Sequence, residues 1–165
     1  MIVVEKATIN DIPIIQDIAH ATWPSTFEEI LSKQQIEYML EMMYSTESLI
    51  EQIETKKHLF FLAKENKSPL GFVSVELNYQ NELKSKIHKI YMLPKAQGKG
   101  IGKILMQKAE ELAQENNQKS ITLNVNRFNK ALNFYEKLGY KNSKTENIQI
   151  GNGYLMEDFV LEKQL

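Results

Sequence analysis

QGKGIGKIL, residues 97–105, places glycines at 98, 100 and 102 and then runs into a helix-like apolar pattern. Backbone this rich in glycine can approach a ligand closely, and a loop that opens a helix offers unpaired N–H groups and a positive dipole end to an anion. The helix that follows reaches about residue 117, with Ile101, Ile104, Leu105, Ala109, Leu112 and Ala113 on one stripe. The stretch before it, KSKIHKIYML (84–93), reads as a strand ended by Pro94. Two familiar phosphate loops fail on spacing. A Walker A loop ending at Gly102-Lys103 would need glycine at Gln97 and a hydroxyl at Ile104. A dinucleotide fingerprint needs G-x-G-x-x-G after the first strand, whereas G-x-G-x-G lies here in the second half of the chain.

Working outward, VVEK (3–6) reads as a first strand, and Thr8 with Asp11, or Asn10 instead, can cap a helix whose apolar face is Ile12, Ile15, Ile18 and Ala19. Pro13 fits its first turn. Pro24 disfavours helix at Trp23, so TWPSTF (22–27) is expected to break the pattern. Helical stretches follow at about 32–43 and 46–57. HLFFLAKEN (58–66) is a strand with an almost continuous apolar run, as in a sheet covered on both faces, and GFVSVELN (71–78) returns beside it. SITLNVN (120–126) alternates, Asn129 can cap a helix through Leu138 that Gly139 closes, and strands at about 140–148 and 153–162 form a hairpin around IGNG. The order is β-α-α-β-β-β-α-β-α-β-β. It predicts an α/β (α+β) architecture: a mixed, largely antiparallel central sheet of about seven strands flanked by four to five helices.

At 165 residues the chain is expected to form a single domain, and a chain of about 150 residues buries roughly 68–70% of its unfolded surface without staples. The absence of cysteine removes disulfides, thiolate metal sites and a cysteine nucleophile together. Twenty basic against twenty-one acidic residues give a net charge of −1, so no global field favours nucleic acid or an anionic membrane. No apolar run approaches the roughly 20 residues of a membrane span, and MIVVEKATINDIP does not read as a signal peptide; a cytoplasmic setting is expected. The histidines at 20, 58 and 88 lie in separate elements without ligand spacing, so no metal is expected.

Gln97-x-x-Gly100-x-Gly102 after a strand ending Ile90-Tyr91-Met92-Leu93-Pro94 resembles the acyl-coenzyme A pyrophosphate loop of the GNAT N-acetyltransferases. A second stretch, Asn129 and Ala131 followed by Phe134-Tyr135-Glu136-Lys137-Leu138-Gly139-Tyr140, is similar to that family's N-x-x-A-x-x-F-Y-x-x-x-G-F signature. The chain departs from the pattern at Gln97, where arginine is more usual, and at Asn129, which stands two residues before Ala131 rather than three. MMYSTESLIEQI (42–53), with the loop and FYEKLGY, is loosely similar to bacterial polyamine acetyltransferases.

The resemblance implies an acetyl-CoA cosubstrate and no metal. Amides of Gly98, Lys99, Gly100, Ile101, Gly102 and Lys103, with Gln97 and Asn129, would hold it by its pyrophosphate end. The strand before the loop would splay from the next one, so that Ile90, Tyr91 and Met92 flank the pantetheine and the Met92 amide polarises the thioester carbonyl. Tyr135 stands at the family position of the general acid that protonates the departing thiolate. The acceptor would be a primary amine, on a small amine, a polyamine or a peptide. An alkylamine with a pKa near 10.4 is free in only about one molecule in a thousand at neutral pH, so a base is needed. Strand alternation puts His88 on one face with Ile90 and Met92, which makes it a candidate, and Glu76 on the neighbouring strand is the other. Trp23, Phe27, Glu28 and Tyr38 are the expected acceptor-site residues, with Glu29 and Glu37 nearby, because aromatics with carboxylates suit a cation. Tyr154, Met156 and Asp158 would serve the acceptor site or a homodimer through exposed sheet edges. A coenzyme-A-binding module without turnover, longer acyl groups and aminoglycoside acceptors remain alternatives.

Overall fold

The computed structural model describes residues 1–165. Seven strands form one sheet: β1 (Ile2–Lys6), β2 (Leu59–Glu65), β3 (Ser68–Glu76), β4 (Lys84–Met92), β5 (Ser120–Asn126), β6 (Lys141–Gly151) and β7 (Tyr154–Gln164). Their spatial order is β1-β2-β3-β4-β5-β7-β6. Every neighbouring pair is antiparallel except β4 and β5, which are parallel. Five helices cover the sheet: α1 (Ile12–Phe27), α2 (Lys33–Tyr44), α3 (Thr46–Ile50), α4 (Ile101–Glu115) and α5 (Leu132–Lys137). The mixed sheet and the helix count agree with the sequence expectation.

The apolar run of β2 divides residue by residue between two cores. Phe60 and Leu62 join Phe72 and the buried faces of α1, α2 and α3, while Phe61 and Ala63 join Val73, Val75 and α4. Each face therefore buries large side chains, worth about 1.5–3 kcal/mol apiece. On α4 the buried stripe is Ile101, Leu105, Met106, Ala109 and Ala113.

Helix α1 differs from expectation. It runs through Pro24 to Phe27. The carbonyl four residues before a helical proline loses its amide partner, and here that residue is the exposed His20, whose carbonyl water can satisfy. The Thr22 and Ser25 hydroxyls donate to the neighbouring carbonyls of Ala19 and Thr22. Thr8 and Asp11 do make the expected reciprocal capping box, around a 3-10 turn that leads into α1. The helix expected over 46–57 ends as a π turn, Glu51–Thr55.

The feature that positions the site lies at the centre of the sheet. β4 and β5 pair only from Lys84↔Ser120 to Ile87↔Leu123, and beyond those four positions they diverge.

Candidate active site

The divergence of β4 from β5 opens a groove of about 830 Å³ through the middle of the molecule. Ile90, Tyr91 and Met92 line one wall, with Leu123 to Asn126 on the other. The Leu93 amide donates to the Leu70 carbonyl of β3 at 2.8 Å. Strand alternation then turns the N–H and C=O of Ile90 and Met92 away from β3, toward the gap, where no β5 residue pairs with them.

One end of the groove is the glycine loop. Gly98 and Gly100 have φ of +80° and +72°, a region that side-chain-bearing residues enter only at a cost. Gly100 caps α4, and the Ile104 amide is the first to bond back, to the Gly100 carbonyl at 3.1 Å. The amides of Ile101, Gly102 and Lys103 thus have no intrahelical acceptor, and no acidic residue occupies that first turn. Gly102 also packs closely, since a Cβ there would lie 2.7 Å from Met92 Cε, the end of a flexible side chain, and 3.2 Å from Phe134 Cζ. Gln97, Gly98, Gly100, Ile101, Gly102 and Lys103 all line the groove, and Lys99 does not. The Lys99 amide is taken by the Ala96 carbonyl, and its ammonium pairs with Glu65 at 2.6 Å.

Asn129 and Tyr135 line the wall opposite β4. The Asn129 side chain accepts from the Ala131 amide at 2.9 Å, closing the turn before α5. Tyr135 is 8% exposed and packs on Phe134 and Tyr140. Burial pushes its phenol pKa well up, so the proton stays on oxygen throughout the neutral range.

The expectation that His88 shares a face with Ile90 and Met92 is overturned by a β-bulge. Ser74 opposes Lys89 while Val75 opposes Ile87, which leaves His88 as an extra residue. A bulge breaks the two-residue alternation and re-aims the side chain. Ile90 and Met92 pack toward α4, whereas the His88 ring stacks on His58 with centroids 4.1 Å apart and planes 11° off parallel. His88 Nε2 lies 2.8 Å from Glu76 Oε1, and His58 Nε2 lies 3.4 Å from the same oxygen. β2 and β4, which flank β3, thus bring together two histidines that sequence separation had kept apart. Burial, then neighbouring positive groups, lowers His58 to about 4 and His88 to about 2, so both rings are neutral at pH 7. His88 lines the groove; Glu76 stands behind it.

The α1–α2 side forms the other end. Trp23 and Phe27 line it, both buried, with Trp23 against Phe27, Tyr44 and Tyr91. Two expected residues lie elsewhere. Glu28 is exposed beyond the end of α1, and the groove is lined by Glu29 instead. Tyr38 donates to the Ile150 carbonyl at 2.7 Å and packs on Tyr154, tying α2 to the β6–β7 hairpin. Met156 and Asp158 of β7 do reach the groove.

Lys89 was not anticipated. It is 8% exposed, lines the groove, and donates to Gln52 Oε1 at 2.6 Å. Burial, then Lys56, lowers its ammonium to about 7. Lys89 alternates with Tyr91 onto the α1–α2 face, and a lysine inside an apolar strand was the available signal.

The profile of the family described as "Acetyltransferase (GNAT) domain" matches residues 28–163. A protein of Thermoplasma acidophilum named spermidine N(1)-acetyltransferase is 27% identical over 166 residues, covering 98% of this chain and 96% of its own. Among solved structures, a PaiA N-acetyltransferase from Thermoplasma acidophilum in complex with coenzyme A superposes with a TM-score of 0.84 at 26% identity, covering 100% of this chain and 99% of that one. The ribosomal-protein-S18-alanine N-acetyltransferase of Escherichia coli shares the fold, with a TM-score of 0.75 at 15% identity over 99% of this chain and 94% of its own.

Proposed function

The chain belongs to the GNAT acetyltransferase family and is an acetyl-CoA-dependent acyltransferase, and from that premise we propose that it acetylates a primary amine, of the polyamine class, by direct attack in a ternary complex. The observation that carries the reading is the gap between β4 and β5. It is walled by unpaired backbone of Ile90 and Met92, ends at the free amides of α4, and has Tyr135 on its side.

The cosubstrate's pyrophosphate lies against the Ile101, Gly102 and Lys103 amides, which supply donors and a positive dipole end. Its pantetheine arm runs along Ile90–Met92 as a strand would, and the Met92 amide donates to the thioester carbonyl as oxygen gains charge. The acceptor amine approaches from the α1–α2 side, past Trp23, Phe27, Glu29 and Asp158. Aromatic faces with carboxylates suit a cationic amine, and the relative named for spermidine supports the class. Lys89 opposes it weakly, because an ammonium held near 7 carries only part of its charge at neutral pH.

A ring whose imidazolium is so disfavoured is a poor resting place for a proton. The amine's proton therefore passes into His88 at one nitrogen while Nε2 releases its own to Glu76, 2.8 Å away. The freed amine attacks the thioester carbon, the tetrahedral intermediate collapses as the C–S bond breaks, and the proton still on nitrogen passes to the leaving sulfur through the Tyr135 hydroxyl, which ends the step protonated. Glu76, in partial contact with solvent, then returns its proton to water.

The test is acetyl transfer from acetyl-CoA to spermidine, a lysine-bearing peptide and an aminoglycoside, followed by thiol release and product mass. Spermidine acetylation at the highest kcat/KM is expected. Turnover only with the peptide or the aminoglycoside would refute the acceptor class. Thermal stabilisation by coenzyme A without thiol release from any amine would refute turnover; a ligand at 100 times its Kd adds about 2.7 kcal/mol, ample to detect.

A further inference from the structure

We infer that His58, Glu76 and His88 form a binding site for a divalent transition-metal ion of the zinc class, and that an ion held there blocks acetyl transfer. The three side chains come from the residue before β2, the end of β3 and the bulge of β4, and their donor atoms all lie within 4.8 Å of one another. Donors around four-coordinate zinc, at about 2.0–2.1 Å from the ion, lie roughly 3.3–3.4 Å apart. His58 Nε2 and Glu76 Oε1 are already 3.4 Å apart, and His88 Nε2 is 2.8 Å from the same oxygen. The near-parallel rings present both Nε2 atoms to the same carboxylate, so small ring rotations converge them on one point.

The chemistry of the set fits as well. Two neutral imidazoles and a carboxylate are a common zinc donor combination, and they leave a fourth position for water or a substrate nitrogen. Of the three, His88 lines the groove. His58 carries a second indication. It is 7% exposed, its Nδ1 has no hydrogen-bond partner, and its Nε2 sits at the long limit of a hydrogen bond. With only that distant contact, Nε2 is the least committed donor of the set and is open to a ligand. Lys56, Lys86 and Lys89 face the cluster and weaken any cation there, which suits a reversible ion rather than a permanent one.

Blockage follows from shared atoms. The ion would take Glu76 Oε1 and His88 Nε2, the two atoms between which the relay passes its proton. This half of the inference rests on the relay described under Proposed function; the binding half does not.

The experiment titrates metal-stripped full-length protein with Zn2+ by calorimetry and with Co2+ by visible absorption. One ion per chain is expected, with the intense ligand-field bands of low-coordinate cobalt. His58→Ala and Glu76→Gln should each weaken binding at least about tenfold. Stabilisation by coenzyme A serves as the check that each variant is folded. No cobalt bands, or zinc affinity unchanged in either folded variant, overturns the site. In wild-type protein, Zn2+ should inhibit acetylation of spermidine with the midpoint seen by calorimetry. Binding without inhibition leaves the site standing and overturns blockage, and with it the relay.

Discussion

Replacing Tyr135 by phenylalanine removes one oxygen from the groove wall and little else. The ring stays packed on Phe134 and Tyr140, with centroids 5.2 and 6.4 Å away, contacts that do not use the hydroxyl. The size of the effect follows from two proton affinities. A thiol has a pKa near 8.5 and is a good leaving group, while burial drives the Tyr135 phenol above its usual value of 10. Full transfer from phenol to thiolate is then uphill, and the phenol contributes chiefly a hydrogen bond to sulfur as charge develops. That places the loss at the low end of general-acid effects, about 10²-fold in kcat or about 2.7 kcal/mol. Because the group acts at the transition state, kcat should fall while KM for acetyl-CoA stays nearly constant. The raised phenol also predicts no alkaline loss of wild-type kcat up to the ordinary tyrosine range. Steady-state thiol release across pH with saturating spermidine measures both. A kcat within about threefold of wild type, with KM for acetyl-CoA unchanged, would refute the acid role.

Glu76→Gln should lower kcat by about 10²-fold at pH 7 and recover as pH approaches the amine's own pKa, because the free amine no longer needs a base; a flat deficit across the pH profile would count against the relay. Gly102→Ala should push the Met92 methyl, the free end of a flexible side chain, into the groove and raise KM for acetyl-CoA with little change in urea unfolding, since helix propensity offsets the strain; an unchanged KM would contradict the packing argument. Stability should fall as pH drops from 6.5 through about 4, because the unfolded chain binds protons at His58 and His88 that the folded chain refuses. His58→Gln should flatten that slope in urea midpoints against pH. Lys89 predicts a gain in stability from about pH 7 toward 10.5, where the folded chain has shed a proton the unfolded one keeps; Lys89→Met should remove it.

The glycine loop, β5 and the β2 run were legible because local pattern and tertiary demand agree there. SITLNVN is a strand residue for residue, and φ at Gly98, Gly100 and Gly139 is positive where glycine is needed. Pro24 misled because proline's cost depends on whether the orphaned carbonyl meets water, which sequence does not state. The bulge at His88 was invisible for a related reason. It is set by the register of β3 against β4, and one extra residue reverses every facing inferred by counting in twos. The pairing of His58 with His88 descends from it. Tyr38 and Glu28 sat in the right region with the right chemistry, and only the placement of α2 against the β6–β7 hairpin directs the one to Ile150 and the end of α1 directs the other to solvent.

The four residue pairs that join β4 to β5 are the only rungs holding two half-sheets together. On one side stand β1 to β4, on the other β5, β7 and β6. Mechanically the protein is a hinged pair of plates with an open seam, and a molecule lying along that seam acts as a removable rung. On the cosubstrate placement proposed above, each catalytic cycle would stiffen and loosen the sheet at this seam, and amide exchange at Ile90, Met92 and the facing residues of β5 would time how long the cosubstrate stays.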